Sequence, residues 1–85
     1  MEKETELLLK QFGEHVKKIR LGKGLSQDAV VANSVRITKG TISDIENGKR
    51  NFSFTTLIDL SKGLELHPRK LLEFEFNITE SKIEE

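Results

Sequence analysis

Residues 38–50, TKGTISDIENGKR, decide how the rest of this chain is understood. The stretch has the marks of one short helix with both ends specified. Thr38 offers a hydroxyl that accepts a hydrogen bond at the N-cap, and Gly48 offers the left-handed residue that closes the C-terminus. Ile42 and Ile45 fall three apart on one face, while Lys39, Thr41, Ser43, Asp44 and Asn47 are polar. A helix this short is unstable alone in water, so neighbours must grip its two isoleucines. What remains outward is a row of small polar groups, with Lys39 at its start and Lys49 and Arg50 just past its end. That is the shape of a helix that enters a groove.

The flanking segments supply the grip. Upstream, Phe12, Val16 and Ile19 recur at spacings of four and three, with Lys17, Lys18 and Arg20 on other faces. Residues 1–11 alternate charged side chains with few others besides Leu7, Leu8 and Leu9, and extend or fray from this helix, which Gly22 and Gly24 end. Leu25 anchors a turn, and Ser26 caps a second short helix reaching about Ala32. Its Ala29, Val30 and Val31 add little bulk, so another helix can approach closely. Residues 33–37 form the turn into the opening stretch. Downstream, Ser53 caps a helix bearing Leu57, Leu60 and Leu64, with Gly63 near its end. His67-Pro68 starts a last helix carrying Leu71 and Leu72, because proline is best placed in a first turn. Phe74, Phe76 and Ile78 then alternate with Glu75 and Asn77, the pattern of a short extended tail. Five short helices with brief turns make an all-α domain.

Charge is unevenly spread. The formal net charge is zero, yet residues 16–50 hold eight lysines and arginines against three acidic side chains, a net of +5. Residues 1–15 carry −2 and residues 51–85 carry −3. A polyanion responds to the basic block more than to the whole-chain sum.

Other functions are hard to place. Eighty-five residues make one small domain, and the lack of cysteine removes disulfides and thiolate chemistry. No apolar run approaches the roughly 18 residues of a membrane span, and Met1-Glu2-Lys3-Glu4 is too acidic for a signal peptide, so a cytosolic protein is expected. His15 sits among solvated helix residues, and His67, before a proline, is better suited to capping than to catalysis. Neither histidine falls in a metal-spaced cluster, and no glycine-rich phosphate loop is present. The expectation is a non-enzyme with no cofactor, no metal, no membrane partner and no small-molecule ligand.

The run from Phe12 to Leu72 resembles the Cro- and repressor-like helix-turn-helix family, the XRE family of bacterial and phage regulators. Four segments carry the likeness: Val16-Lys17-Lys18-Ile19-Arg20; Gly24-Leu25-Ser26-Gln27; Thr41 to Arg50; and Leu57 with Leu60. Length, acidic flanks and a C-terminal helix are also similar to restriction–modification controller proteins, a subgroup of small dimeric regulators. The resemblance implies a five-helix lambda-repressor-like domain over residues 12–74, with residues 1–11 extending helix 1 and residues 75–85 forming a tail available to a dimer contact.

It also implies roles. Lys39, Gly40, Thr41, Asp44 and Arg50 occupy base-facing positions: lysine for guanine O6 or N7, threonine for a thymine methyl, aspartate for cytosine N4. Gln27, Thr38, Ser43, Asn47 and Lys49 fall on the phosphate side, where Gln27 has helix capping as an alternative duty. Arg20 and Glu46 match a family pair that ties the first helix to the third. Leu72, Phe74 and Phe76 exceed what the core needs and form the expected homodimer surface, with folding back of Phe74 as the alternative. A dimer would occupy a palindromic operator on double-stranded DNA, occluding RNA polymerase or touching it. The rival reading is an antitoxin-like or scaffold module whose main partner is another protein, bound through Phe74, Phe76 and the amino-terminal leucines. Two departures from the family stand out. The segment between Gln27 and Thr41 is one residue longer and lacks the usual turn glycine, so Asn33 or Ser34 is expected to turn left-handed. Phe52 replaces a common proline, either to plug the core edge or to meet a partner.

Overall fold

The computed structural model describes residues 2–76, so Ile78 and the rest of residues 77–85 of the expected tail lie outside the described residues. Four α-helices follow one another: α1 (Lys3–Gly22), α2 (Gln27–Asn33), α3 (Lys39–Glu46) and α4 (Phe54–Gly63). The last element differs from expectation. Pro68–Leu72 is a 3-10 helix rather than a fifth α-helix. Its five residues close i→i+3 bonds such as Lys70 N–H to the His67 carbonyl, the geometry short segments adopt. No strand occurs among the described residues.

Helix starts follow their caps. Ser26, Thr38 and Ser53 each accept the backbone N–H three residues on, at 3.0, 3.2 and 3.2 Å. His67 accepts the Arg69 N–H through Nδ1 at 3.1 Å, so this histidine is a cap. At the far end of α3, Gly48 sits at φ +67°. There the Lys49 N–H reaches the Asp44 carbonyl and the Gly48 N–H reaches that of Ile45, which closes the helix and aims the chain away from its axis.

The core is one cluster: Phe12 and Val16 of α1, Val30 of α2, Ile37 of the turn, Ile42 and Ile45 of α3, Leu60 of α4, then Leu64 and Leu71. Helix α1 is continuous from Lys3, and Leu9 is already buried. Close helix contact explains two glycines. A Cβ on Gly63 would stand 2.6 Å from the Val30 carbonyl oxygen, so α4 lies against α2 where both are slender. Gly63 is also the last residue of α4, as its place near the helix end suggests, and the left-handed residue beyond it is Glu65. A Cβ on Gly13 would stand 2.2 Å from the Ile45 carbonyl oxygen, which brings α1 onto the C-terminus of α3.

His15 is not simply a solvated helix residue. Its Nε2 bonds the Lys70 carbonyl at 2.9 Å and its ring lies 5.2 Å from that of Phe74, so it ties the 3-10 helix to α1. Phe52 is half-buried with its ring 5.1 Å from Phe12, at the edge of the core.

Candidate nucleic-acid interface

Helix α3 has two faces with opposite duties. Inward, Ile42 and Ile45 are fully covered, and Glu46 beside them is buried as well. Burying a carboxylate requires a partner. Arg20 of α1 provides one: its Nε donates to Glu46 Oε2 at 2.6 Å and its second terminal nitrogen donates to Oε1 at 3.0 Å. The remaining terminal nitrogen donates to the Leu25 carbonyl at 2.9 Å, so one guanidinium joins α1, α3 and the turn before α2. The Glu46 hydrogen bonds raise the Arg20 pKa above its ordinary value, against burial, which lowers it. Gln27 closes the group by donating to Glu46 Oε1 at 3.3 Å. Its side chain is half-buried beside the pair, at the first residue of α2.

The longer turn before α3 departs from the left-handed conformation expected of it. Neither Asn33 nor Ser34 is left-handed; Ser34 is extended at φ −91°, ψ 177°. The turn is instead organised from outside by Asp59 of α4. Its carboxylate accepts three successive backbone N–H groups, from Val35 at 2.8 Å, Arg36 at 2.7 Å and Ile37 at 2.9 Å. A glycine is unnecessary because the amides that a tight turn would satisfy internally are taken by this side chain. Burial pushes the Asp59 pKa up, but the three amides and nearby Lys62 outweigh it, and the net is a carboxyl below its ordinary value. Asp59 thus sets where α3 begins.

Outward, α3 presents the expected ridge. Lys39, Gly40 and Asn47 are exposed, and Thr41, Ser43 and Asp44 are half-exposed. Thr38 gives its oxygen to the cap, and Asn47 Nδ2 turns back to the Ser43 carbonyl at 2.9 Å. A Cβ on Gly40 would meet nothing nearer than Thr38 Oγ1 at 3.9 Å, so the glycine leaves open backbone on this face. Past the helix, Lys49 and Arg50 are exposed, and Arg50 returns over α3. One of its terminal nitrogens donates to Thr41 Oγ1 at 3.2 Å and the other lies 3.7 Å from Asp44 Oδ2. Lys39 pairs with Asp28 of α2 at 3.3 Å.

A groove beside this ridge is lined by Arg36, Thr41, Arg50, Ser53, Thr55 and Lys62. Arg36 and Lys62 are not candidates from the sequence: Arg36 lies in the turn before α3 and Lys62 on α4, and only the fold brings them to one groove. Asp59 likewise gave no signal in an otherwise ordinary amphipathic helix. Of the expected dimer residues, Leu72 and Phe76 are exposed. Phe74 is half-buried against the core, its ring 6.0 Å from Phe12 and 4.5 Å from Phe76.

Comparison with known proteins agrees with this geometry. Residues 16–71 match the helix-turn-helix family model. The chain is 38% identical over 63 residues to the control protein C.BamHI of Bacillus amyloliquefaciens, covering 74% of this chain and 78% of that protein. The crystal structure of the restriction–modification controller protein C.AhdI from Aeromonas hydrophila superposes with a TM-score of 0.68 at 32% identity, over 74% of this chain and 94% of that one. The controller protein C.Esp1396I, solved as a tetramer with its natural 35 base-pair operator, gives 0.70 at 35% identity, over 78% and 86%. With a match through most of its length, a shared fold and relatives at this identity, the chain belongs to the XRE-type helix-turn-helix family, among relatives that are restriction–modification controller proteins.

Proposed function

We propose that the protein is a sequence-specific DNA-binding regulator of transcription that acts as a homodimer on a palindromic operator. The observation that carries this reading is the division of α3: its isoleucines and Glu46 are locked inward, while its polar ridge is presented outward with cations at both ends. A ridge of this kind fits the major groove, where Lys39 and Arg50 meet guanine edges, Thr41 meets a thymine methyl, and Gly40 admits the backbone close to the bases. Thr38, Ser43, Asn47 and Lys49 flank it on the phosphate side, together with Gln27 at the start of α2. Arg36 and Lys62 extend the phosphate contact along the adjoining groove. The operator complex of C.Esp1396I supports the same assignment by kinship.

A single domain of this size covers few base pairs, so two copies are needed, with half-sites about one helical turn or 34 Å apart. Exposed Leu72 and Phe76 edge an apolar cleft with Leu8, Leu9, Phe52 and Leu57, remote in composition from the cationic ridge, and this is the dimer surface. Occupancy of the operator then either occludes RNA polymerase or offers it a contact.

Selection of binders from a random duplex pool at fixed salt tests the proposal. An inverted repeat is the expected product. A pool that stays unenriched, or a bound set without shared sequence, contradicts base reading, since contacts to phosphate alone carry no sequence information.

A further inference from the structure

The outer face of α3 poses an electrostatic problem: it carries a carboxylate, Asp44, on the ridge that faces a polyanion. The structure also shows what that carboxylate touches. Arg50 bridges it to Thr41, with 3.7 Å to Asp44 Oδ2 and 3.2 Å to Thr41 Oγ1. Both partners of the ion pair are solvent-accessible, at 50% for Arg50 and 42% for Asp44, so the pair adds little to folding stability. Its placement matters more than its strength. The arginine comes from beyond the helix, from the chain that Gly48 turns, and two side chains of α3 hold its planar head over the ridge.

We propose that Asp44 is a positioning residue that makes Arg50 a selective reader of guanine, and that it does so partly by penalising every other use of that arginine; the inference rests on the base-reading role given to α3 above. A guanidinium has five N–H donors. Thr41 accepts from one, and Asp44 at 3.7 Å attracts the head by charge without a hydrogen bond, which leaves enough donors for a bidentate contact to guanine O6 and N7 without breaking either restraint. On a matching site Arg50 therefore reaches its base and still neutralises Asp44. On any other sequence Arg50 finds no bidentate partner, and its best alternative is a phosphate. Moving there leaves the Asp44 carboxylate unpaired against the DNA backbone, where like charge repels. Specificity then comes from a penalty on wrong sites as well as a gain on the right one. The same geometry accounts for an acid on a DNA-facing helix without asking it to contact a base.

The test uses the full chain and a duplex selected by the wild-type protein, with a scrambled duplex of equal length as control. Binding of wild type, Asp44→Asn, Arg50→Ala and the double variant is followed by fluorescence anisotropy across several salt concentrations. Asparagine keeps the shape and removes the charge. Asp44→Asn is expected to tighten binding to the scrambled duplex about tenfold and to steepen its salt dependence by about one counterion. Binding to the selected duplex should change by less than about threefold, so the ratio between duplexes shrinks. In the Arg50→Ala background the same substitution should leave that ratio unchanged, because the residue through which Asp44 acts is gone. Loss of preference at one cytosine position with unchanged scrambled binding would show direct readout by Asp44 and overturn the proposal. So would equal ratios in wild type and Asp44→Asn. A wild-type chain that selects no motif sinks the base-reading role itself, a failure seen before any variant is compared.

Discussion

Helix α3 takes part in two arginine–carboxylate pairs, and they differ in nearly every respect. Arg20–Glu46 is buried, bidentate and as short as 2.6 Å, with its spare donor and acceptor satisfied by Leu25 and Gln27. Arg50–Asp44 is exposed, single-contact and 3.7 Å long. The first fixes the helix to the body of the protein and is unavailable for anything else. The second is loose enough for its arginine to be shared with an incoming partner. One short helix is thereby tightly held on its inner face and loosely tethered on its outer one. The same division runs through the glycines: Gly13 lies where α1 meets α3, Gly40 lies on the open ridge.

The largest effect should come from breaking the inner pair. Glu46→Ala leaves the Arg20 charge buried without its partner and should cost about 3–5 kcal/mol, measured by urea unfolding. Next comes Gly13→Ala. Its new methyl meets backbone carbonyls of Ile45 and Glu46 rather than a movable side chain, so a loss of about 1–3 kcal/mol is expected, even after the gain in helix propensity. If Gly13→Ala unfolds at the wild-type denaturant midpoint, the close packing of α1 on α3 is wrong.

Asp59→Asn probes the turn between those faces. It weakens three charge-assisted hydrogen bonds and should cost about 1–3 kcal/mol at neutral pH. The pH dependence has a definite sign. A carboxyl with a folded pKa below its unfolded value stabilises fully above the unfolded value, and the benefit disappears as pH falls through the lower folded one. Stability curves of wild type and Asp59→Asn should therefore lie apart at pH 6 and approach each other at acid pH, below the ordinary carboxylate range. Curves that stay parallel into that range would remove Asp59 from the account. The smallest effect belongs to the outer glycine: Gly40→Ala has room for its methyl and should raise stability by about 0.5–1 kcal/mol, the opposite sign from Gly13→Ala. Weaker operator binding by the stabilised Gly40→Ala protein would separate backbone approach from folding.

Much of this architecture is visible in the chain because it depends on local signals. Ser26, Thr38 and Ser53 announce their helices by cap chemistry, and Ile42 and Ile45 announce the buried face of α3 by spacing. The polar ridge is legible for the same reason: a residue three or four positions from a core residue shares its face, while one two positions away, as Asp44 is from Ile42, falls on the opposite one. What escaped depends on contacts between distant segments. Asp59 reaches back more than twenty residues to amides that carry no side-chain signature. Gly13 and Gly63 look like helix blemishes until the neighbouring backbone is seen 2–3 Å from their missing methyls. The pairing of Arg50 with Asp44 depends on the path of the chain after Gly48, which sequence spacing does not specify. His15 belongs with these, since its partner, the Lys70 carbonyl, is 55 residues away.

If the outer ridge of α3 reads DNA and the inner contacts only support it, removing two ridge cations must abolish binding without unfolding the protein. Gel retardation with the Lys39→Ala, Arg50→Ala double variant on the selected duplex tests this most directly, alongside sedimentation and circular dichroism of the same sample. The expected result is an intact, dimeric, helical protein that no longer shifts the duplex. A double variant that shifts it as tightly as wild type would show that the ridge is not the DNA-reading surface.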